Sequence, residues 1–542
     1  MFSFLDKENI IVGPKFNRWL VPPAALAIHM CIGMSYGLSV FWLPLSKAFS
    51  VSQGLTDVVK CAGTGFFDQL FVSNCDWSVT TLVTIFQCGI VFLGLSAALW
   101  GGWLERAGPR KAGLVAALCW GGGLLISSYG VHIHQFWIIF LGTGVIGGIG
   151  LGLGYISPVS TLIKWFPDRR GLATGMAIAG FGGGAMIGAP LAALLMKNYA
   201  TATDVGVEQT FITMGIIYLA FMTIGAFSYR IPTSDWKPKG WTPSAKMTNN
   251  AMITKGSVHV SKVWGIPQFW LVWMVLCMNV SAGIGVLGMA SPMLQEVFAG
   301  NLIGLPGVKF NDLNKEQLTA IAGVAAGFAA LISFMNIIGR VIWAGSSDYL
   351  GRKVTYCIFF ILGGLLYFSA PSSAAALNLT FFVGAFCIIL TMYGGGFATV
   401  PAYLADLFGT QMVGAIHGRL LTAWSTAGIL GPIVVTWMRD YQLGLGIPKA
   451  QVYNQTMYIL VGMLAIGLIC NLLVTPVSRK YFMTDAELAA EKKLAHEKQT
   501  ASASGSSNET GLLRLVIMWA IVGVPLGWGV YKTYLSALKL FG

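Results

Sequence analysis

The stretches GWLERAGPRK (residues 102–111) and GSSDYLGRKV (residues 345–354) decide the fold, because they carry one pattern twice in a chain of 542 residues. Gly102 and Gly345, Glu105 and Asp348, Gly108 and Gly351, and Arg110 and Lys353 are all separated by one offset, 345 − 102 = 243. Arg106, Lys111 and Arg352 extend the basic character of the two loops. Each copy follows a long apolar run and precedes another, so two halves built alike are expected. A glycine lets neighbouring helix ends approach closely, and an acid beside arginines or a helix N-terminus can brace one arrangement of helices and release it in another. A plain positive-inside anchor explains the cations but not the acids at matched positions.

The rest of the composition puts these loops at a membrane. With 55% hydrophobic residues, 10% charged residues and a mean hydropathy of +0.70, the chain has too few polar groups to cover a soluble globule of its size. A bilayer core needs about 20 apolar residues per helix. Six such runs lead from Leu20–Leu43 to Phe211–Tyr229, and six more from Phe269–Leu294 to Val452–Val474; a last one, Leu512–Leu535, stands apart behind a polar tail. The predicted fold is therefore all-α and integral to the membrane, two pseudo-symmetric six-helix halves plus one extra C-terminal transmembrane helix. The expected boundaries are 1–230 for the first bundle, 231–267 for a central loop, 268–476 for the second bundle, 477–510 for a solvated helix and linker, and 511–542 for the additional helix. In the tail, TDAELAAEKKLAHEKQ (484–499) reads as that short helix and ASASGSSNE (501–509) as the flexible linker.

Lys and Arg prefer short cytoplasmic loops. They cluster at Lys15 and Arg18, at Arg106, Arg110 and Lys111, at Lys164, Arg169 and Arg170, at Lys237 and Lys239, at Arg352 and Lys353, and at Arg479 and Lys480. Those loops and the N-terminus are expected in the cytoplasm. A full crossing by the extra helix would then leave Lys532 and Lys539 on the unfavoured side. The net charge of +13 follows from this topology, and no segment between spans is long enough to form a nucleic-acid module. The N-terminus has no cleavable signal pattern. Seven of the nine cysteines lie in apolar runs as small hydrophobes. Cys61 and Cys75 share an outer loop, where bridged and unbridged states both remain open. The absence of a Gly-Lys pair removes an ATP-binding phosphate loop, and His132 with His134 is too small a set for a metal. No enzyme, metal site or cofactor is expected.

Arg340 is the one cation deep in the run Leu318–Ala344, with Asn336 four residues earlier on the same helix face. A charge at that depth is costly, and such residues usually face a cavity and bind something there. Guanidinium presents a planar fork that matches a carboxylate bidentately. The alternative is that Arg340 snorkels towards the surface near Asp348. Around span centres lie Tyr36, Tyr155 and Tyr393, with Phe397 one turn beyond Tyr393, and these polar aromatics can close a small pocket around one arginine. Gln87 is a weaker candidate. His29 lies near mid-span and is the candidate proton carrier, against the alternative of a satisfied core histidine.

The paired loops resemble the GxxxD/ERxGRR/K-type loops of the major facilitator superfamily. Within that superfamily, GYISPVSTLIKWFPDRRGLATGMAIAGFGGG (154–184) and PAYLADLFGTQMVGAIHGRLLTAWSTAGILGP (401–432) are similar to the oxalate/formate antiporter family, with WFPDRRGLATG the most specific string. The extra helix is similar to a single-helix small subunit that accompanies some of these transporters, here fused and expected to dock on the bundle. The resemblance implies a substrate arginine at Arg340. It also implies a second cation, a lysine, at or beside Trp424, and no lysine is present there. A dianion facing one cation would leave a charge uncompensated in low dielectric.

The expected function is therefore secondary transport of small monocarboxylates (formate, acetate, lactate or pyruvate) by alternating access, with proton symport or anion exchange. Its alternatives are an oxalate:formate antiporter and, from another class, a membrane anion sensor that transports nothing. The expected partners are a small carboxylate anion, a proton and membrane lipid, with no nucleic acid, and the chain is expected to work as a monomer in a bacterial inner (plasma) membrane. Gly102, Glu105, Arg106, Gly108, Arg110, Asp348, Gly351 and Arg352 are the expected gating-loop residues.

Overall fold

The computed structural model describes residues 3–13, 15–55, 57–61, 66–233, 236–243, 250–494 and 512–538. The linker at 501–509 and Lys539 lie outside the described residues. Among the described residues, 13 helices are long and apolar enough to cross a membrane. The first six are α1 (Arg18–Leu45), α2 (Val79–Ala107), α3 (Pro109–His132), α4 (Phe136–Trp165), α5 (Arg170–Tyr199) and α6 (Val207–Ser228). The second six are α7 (Pro267–Ile303), α8 (Lys315–Leu350), α9 (Arg352–Ala375), α10 (Leu379–Phe408), α11 (Val413–Gly444) and α12 (Asn454–Leu473). The extra helix is α13 (Leu512–Leu535).

Local chemistry sets the helix ends. Ser78 caps α2 by accepting from the Thr81 N–H, and Asn314 and Gln317 form a reciprocal capping box at the start of α8. Gly108 and Gly351, the second glycines of the repeated loops, have φ of 91° and 90°. Each ends one long helix and lets the next begin in a backbone region that side chains rarely adopt. The loops therefore share a conformation as well as a sequence.

Two helices depart from regular α geometry. In α1 the chain passes from an α-helix, Val21–Ile32, into a tighter 3₁₀ stretch, Gly33–Phe41, which carries Tyr36. In α4 a wider π turn spans Phe140–Ile146. Such irregular turns occur often at functional sites.

The faces of the molecule differ. On one, a two-residue parallel pairing joins Ile11–Val12 to Ile231–Pro232, and Arg110 donates to the carbonyls of Phe4, Phe227 and Tyr229. This is called the N-face. On the opposite face a disulfide closes Cys61 to Cys75, with Cα atoms 5.0 Å apart. The halves meet mainly where α5 packs on α8 and α2 packs on α11. The thirteenth helix lies against α8, α5 and α1, straddling the α5–α8 seam. Leu526 sits at Gly183, and the Trp519 indole N–H donates to the Trp19 carbonyl at 3.1 Å.

The tail helix is mostly exposed among the described residues, with Glu491 as the exception. It spans Asp485–Leu494 among the described residues, and Glu491 is buried against Arg106, whose Nε lies 3.1 Å away. A charge partner on α2, invisible in the local sequence, draws this face of the tail onto the bundle.

Candidate functional site: a buried arginine in an aromatic cage

Arg340 does not snorkel. Its side chain is 1% exposed, and it reaches across the seam so that Nη1 donates to the Ile178 carbonyl of α5 at 2.7 Å. Asn336 accepts from Nε at 3.4 Å, consistent with their spacing on one helix face. Nη2 has no hydrogen-bond partner, and no carboxylate forms an ion pair with Arg340 among the described residues. A buried donor left unpaired costs about 1–3 kcal/mol, more when charged. The guanidinium therefore presents an unanswered demand for an acceptor.

Aromatic rings from five helices close around it. The guanidinium carbon lies 5.9 Å from the Phe181 ring centroid and 5.6 Å from that of Phe397, within cation–π range. Trp424 is the hub of the cage, with ring centroids at 4.8 Å to Phe397, 5.3 Å to Phe181, 5.3 Å to Tyr155 and 6.2 Å to Tyr36. Tyr36 and Tyr393 bring their hydroxyls within 3.3 Å of each other across the two halves. The Tyr155 hydroxyl and the Trp424 indole N–H are buried and, like Nη2, make no well-formed hydrogen bond among the described residues, although the Tyr36 hydroxyl lies close to Trp424 and the guanidinium. Three unsatisfied polar groups within one apolar cluster form a donor set suited to a small anion.

The structure thus gathers Arg340, Asn336, Tyr36, Tyr155, Tyr393, Phe397 and Trp424, and places His29 against Tyr155, ring centroids 5.2 Å apart. Gln87 is not among them. Ile85, Gly89 and Leu93 face α4, whereas Gln87 is exposed on the α2 face that Gly94 and Gly101 present to α11, outside the contact between the halves. Two cage neighbours were missed in the sequence. Phe181 stands between glycines, where it supplies the only side-chain bulk of Gly180–Gly184. His417, in the run GAIHGRLL, is fully buried with both ring nitrogens unpartnered and its ring 5.8 Å from Tyr155. A polar residue interrupting that run was the available signal.

Between this cage and the N-face, the repeated loops bind the halves together. Glu105 accepts from the Gly414 N–H at the start of α11 at 2.9 Å, and also from Ser160 at 2.8 Å and Lys164 at 2.6 Å. Asp348 does the equivalent in reverse, accepting from the Gly171 and Leu172 N–H groups at the start of α5 at 2.9 and 3.1 Å. Each acid thus meets the positive end of a helix in the other half. Asp406, which sequence reasoning did not select, accepts from Arg170 of the other half at 3.0 Å and from Arg352 at 3.2 Å. The contact is tight enough that a methyl group on Gly171 would collide with the Ala344 carbonyl. Arg106 and Arg110 take no part in the bonds between halves described here: the first pairs with Glu491, and the second holds the N-terminal segment.

A second basic feature lies at the N-face, a pocket of about 410 Å³ lined by Lys7, Lys164, Arg170, Lys237 and Lys492 together with Trp236 and Trp241. Outside the spans, burial holds the His134 imidazole below its ordinary pKa of 6.5. The ring stacks on Trp77 with centroids 3.9 Å apart and lies 2.8 Å from the Cys75 carbonyl.

Comparison with known proteins agrees with this architecture. The family described as Major Facilitator Superfamily matches residues 25–335. The oxalate:formate antiporter of Oxalobacter formigenes is 25% identical over 421 residues, covering 77% of this chain and 83% of that protein. The apicoplast pyruvate carrier 1 of Toxoplasma gondii is 26% identical over 348 residues, covering 55% and 59% respectively. Among solved structures, the transporter FucP in its outward conformation superposes with a TM-score of 0.55 at 13% identity, covering 84% of this chain and 100% of that one. At that identity the likeness speaks for the fold alone.

Proposed function

From the premise that the chain belongs to the Major Facilitator Superfamily, we propose that it is a secondary transporter of small monocarboxylates that works by alternating access. The observation that carries this reading is the Arg340 guanidinium, buried without a counter-ion among the described residues, with Nη2 unsatisfied in the same aromatic cluster as the Tyr155 hydroxyl and Trp424 N–H. A single carboxylate offers the acceptors these donors lack and the charge that the arginine lacks. Similarity to an oxalate:formate antiporter and a pyruvate carrier supports the same substrate class, since formate and pyruvate both present one carboxylate.

Arg340, Asn336, Tyr36, Tyr155, Tyr393, Phe397 and Trp424 form the binding site in this proposal. The bonds of Glu105, Asp348 and Asp406 hold its N-face shut. We assign residues 1–230 and 268–476 to the two moving halves, 231–267 to their connection, 477–510 to the tail helix and linker, and 511–542 to the accessory helix. The basic loops support a cytoplasmic N-face and N-terminus, and in this reading the closed N-face belongs to an outward-facing state. The chain works as a monomer in a bacterial inner (plasma) membrane.

The oxalate reading has a specific argument against it. The position beside the arginine that would hold a second cation is the neutral Trp424 indole, so a dianion would remain half-compensated. Counterflow of labelled pyruvate in proteoliposomes tests the proposal. Transient accumulation that is lost in Arg340→Gln and resists excess oxalate agrees with it. Full activity in Arg340→Gln, or competition by oxalate as strong as by pyruvate, contradicts it.

A further inference from the structure

His29 has surroundings that a neutral imidazole does not satisfy. It is 0% exposed, with Nδ1 2.6 Å from the Ala177 carbonyl oxygen and Nε2 3.1 Å from the Tyr155 carbonyl oxygen. Carbonyl oxygens only accept. A neutral imidazole carries one N–H, so one contact sets a nitrogen lone pair against an oxygen lone pair; the imidazolium donates to both. Only the charged form answers both carbonyls, yet full burial opposes a charge there and no carboxylate pairs with it among the described residues.

The titratable groups that act on His29 are Tyr155 from α4, Arg340 from α8 and His417 from α11. Tyr155 packs its ring on the imidazole, and His417 lies behind that ring. Arg340 is coupled more directly. Its Nη1 holds the Ile178 carbonyl, the neighbour along α5 of the Ala177 carbonyl that faces His29. With the arginine unpaired, its charge opposes a second charge on the imidazole. A carboxylate on the arginine cancels that opposition.

We propose that His29 is the binding site for a proton that travels with the carboxylate, loaded when the anion occupies Arg340 and emptied when it leaves. This rests on the reading of Arg340 as the anion site. The proton adds to the bare ring nitrogen, no other bond forms or breaks, and one negative and one positive charge cross together. Linkage makes the effect mutual, so protonated His29 holds the anion more tightly, and the anion raises the affinity of His29 for the proton. The transporter is then an electroneutral symporter, and exchange of anions alone is what remains when His29 cannot titrate.

The test uses the full chain in liposomes that trap a pH dye, with the voltage clamped and labelled pyruvate as the probe. In the wild-type protein an inward pyruvate gradient acidifies the lumen, and a pH difference of one unit accumulates pyruvate about tenfold, the ratio that one unit of proton free energy supports. In His29→Gln, luminal acidification and pH-driven accumulation disappear, while labelled pyruvate still binds the variant, more weakly than wild type as the linkage requires. Acidification by the variant equal to wild type overturns the proposal. Should His29→Gln not fold, the wild-type protein in weakly buffered detergent decides: uptake of about one proton per bound pyruvate near neutral pH supports the proposal, and binding without uptake overturns it. Wild-type protein that shows no pyruvate counterflow overturns the carboxylate reading, and the proton site with it. Wild-type counterflow together with no luminal acidification under a net inward pyruvate gradient overturns the proton site alone.

Discussion

Replacing Asp348 with Asn perturbs the contact between halves at a point where the cost can be worked out. Two bonds cross from Asp348 to the other half, to the Gly171 N–H at 2.9 Å and the Leu172 N–H at 3.1 Å, both at the positive end of α5. The pairing of Asp348 with Arg352 lies within one half and persists whichever way the halves tilt. An asparagine keeps one acceptor oxygen, turns an NH₂ group towards an N–H and removes the negative charge. A charge-assisted hydrogen bond contributes about 1.5–3 kcal/mol and a charge at a helix terminus about 0.3–1 kcal/mol. The state-dependent loss is then about 2–4 kcal/mol, and at 1.4 kcal/mol per decade it shifts the ratio of closed to open N-face by about 30- to 700-fold. The side chain is 13% exposed, so solvent screens little of this. Glu105→Gln should act similarly at Gly414, and the double variant should go further. Spin labels at Arg169 and Leu350, exposed positions in opposite halves, report the separation by electron–electron resonance in a background without the free cysteines. Wild type should give one short-distance population, with a longer one growing through the single and double variants. Unchanged distances in the double variant would show that the acids are mere anchors and refute the reasoning.

Two further outcomes concern the disulfide face. Cys61→Ser with Cys75→Ser opens a bridge between residues 14 apart, which should cost about 3 kcal/mol by loop entropy and lower the thermal midpoint; an unchanged midpoint would place the loop outside the cooperative unit. Burial keeps the His134 pKa below its ordinary 6.5, so the contribution of this loop to stability is complete above that value and falls as pH drops below it, because the unfolded chain binds the proton more readily. Thermal melts should therefore weaken below pH 6.5, less steeply in His134→Asn, and equal slopes for both proteins would refute this.

Much of the architecture was legible because it is written along one dimension. The length of each apolar run, the matched acids at Glu105 and Asp348 and the lone cation at Arg340 need no knowledge of which helices touch. The glycines of the repeated loops were legible too, though their shared backbone conformation emerged only with φ at Gly108 and Gly351. What escaped depends on tertiary approach. Asp406 looks like one more helix-end acid until α10 brings it to Arg170. Phe181 looks like packing until α5 presents it to Arg340. Gln87 shares the α2 face of Gly94 and Gly101, yet it lies outside their contact with α11 and apart from the aromatic cage. The two carbonyls bracketing His29 belong to other helices, so nothing around His29 in the chain announces them.

The central claim is that one carboxylate occupies the cage at Arg340. The most direct measurement is an electron cryomicroscopy map of the full chain in saturating pyruvate. The account expects carboxylate density within hydrogen-bonding distance of Arg340 Nη2, with the Tyr155 hydroxyl and Trp424 Nε1 turned towards the ligand. Density confined to the basic N-face pocket among Lys164, Lys237 and Lys492, with the cage empty and Arg340 still bound only to the Ile178 carbonyl and Asn336, would contradict it.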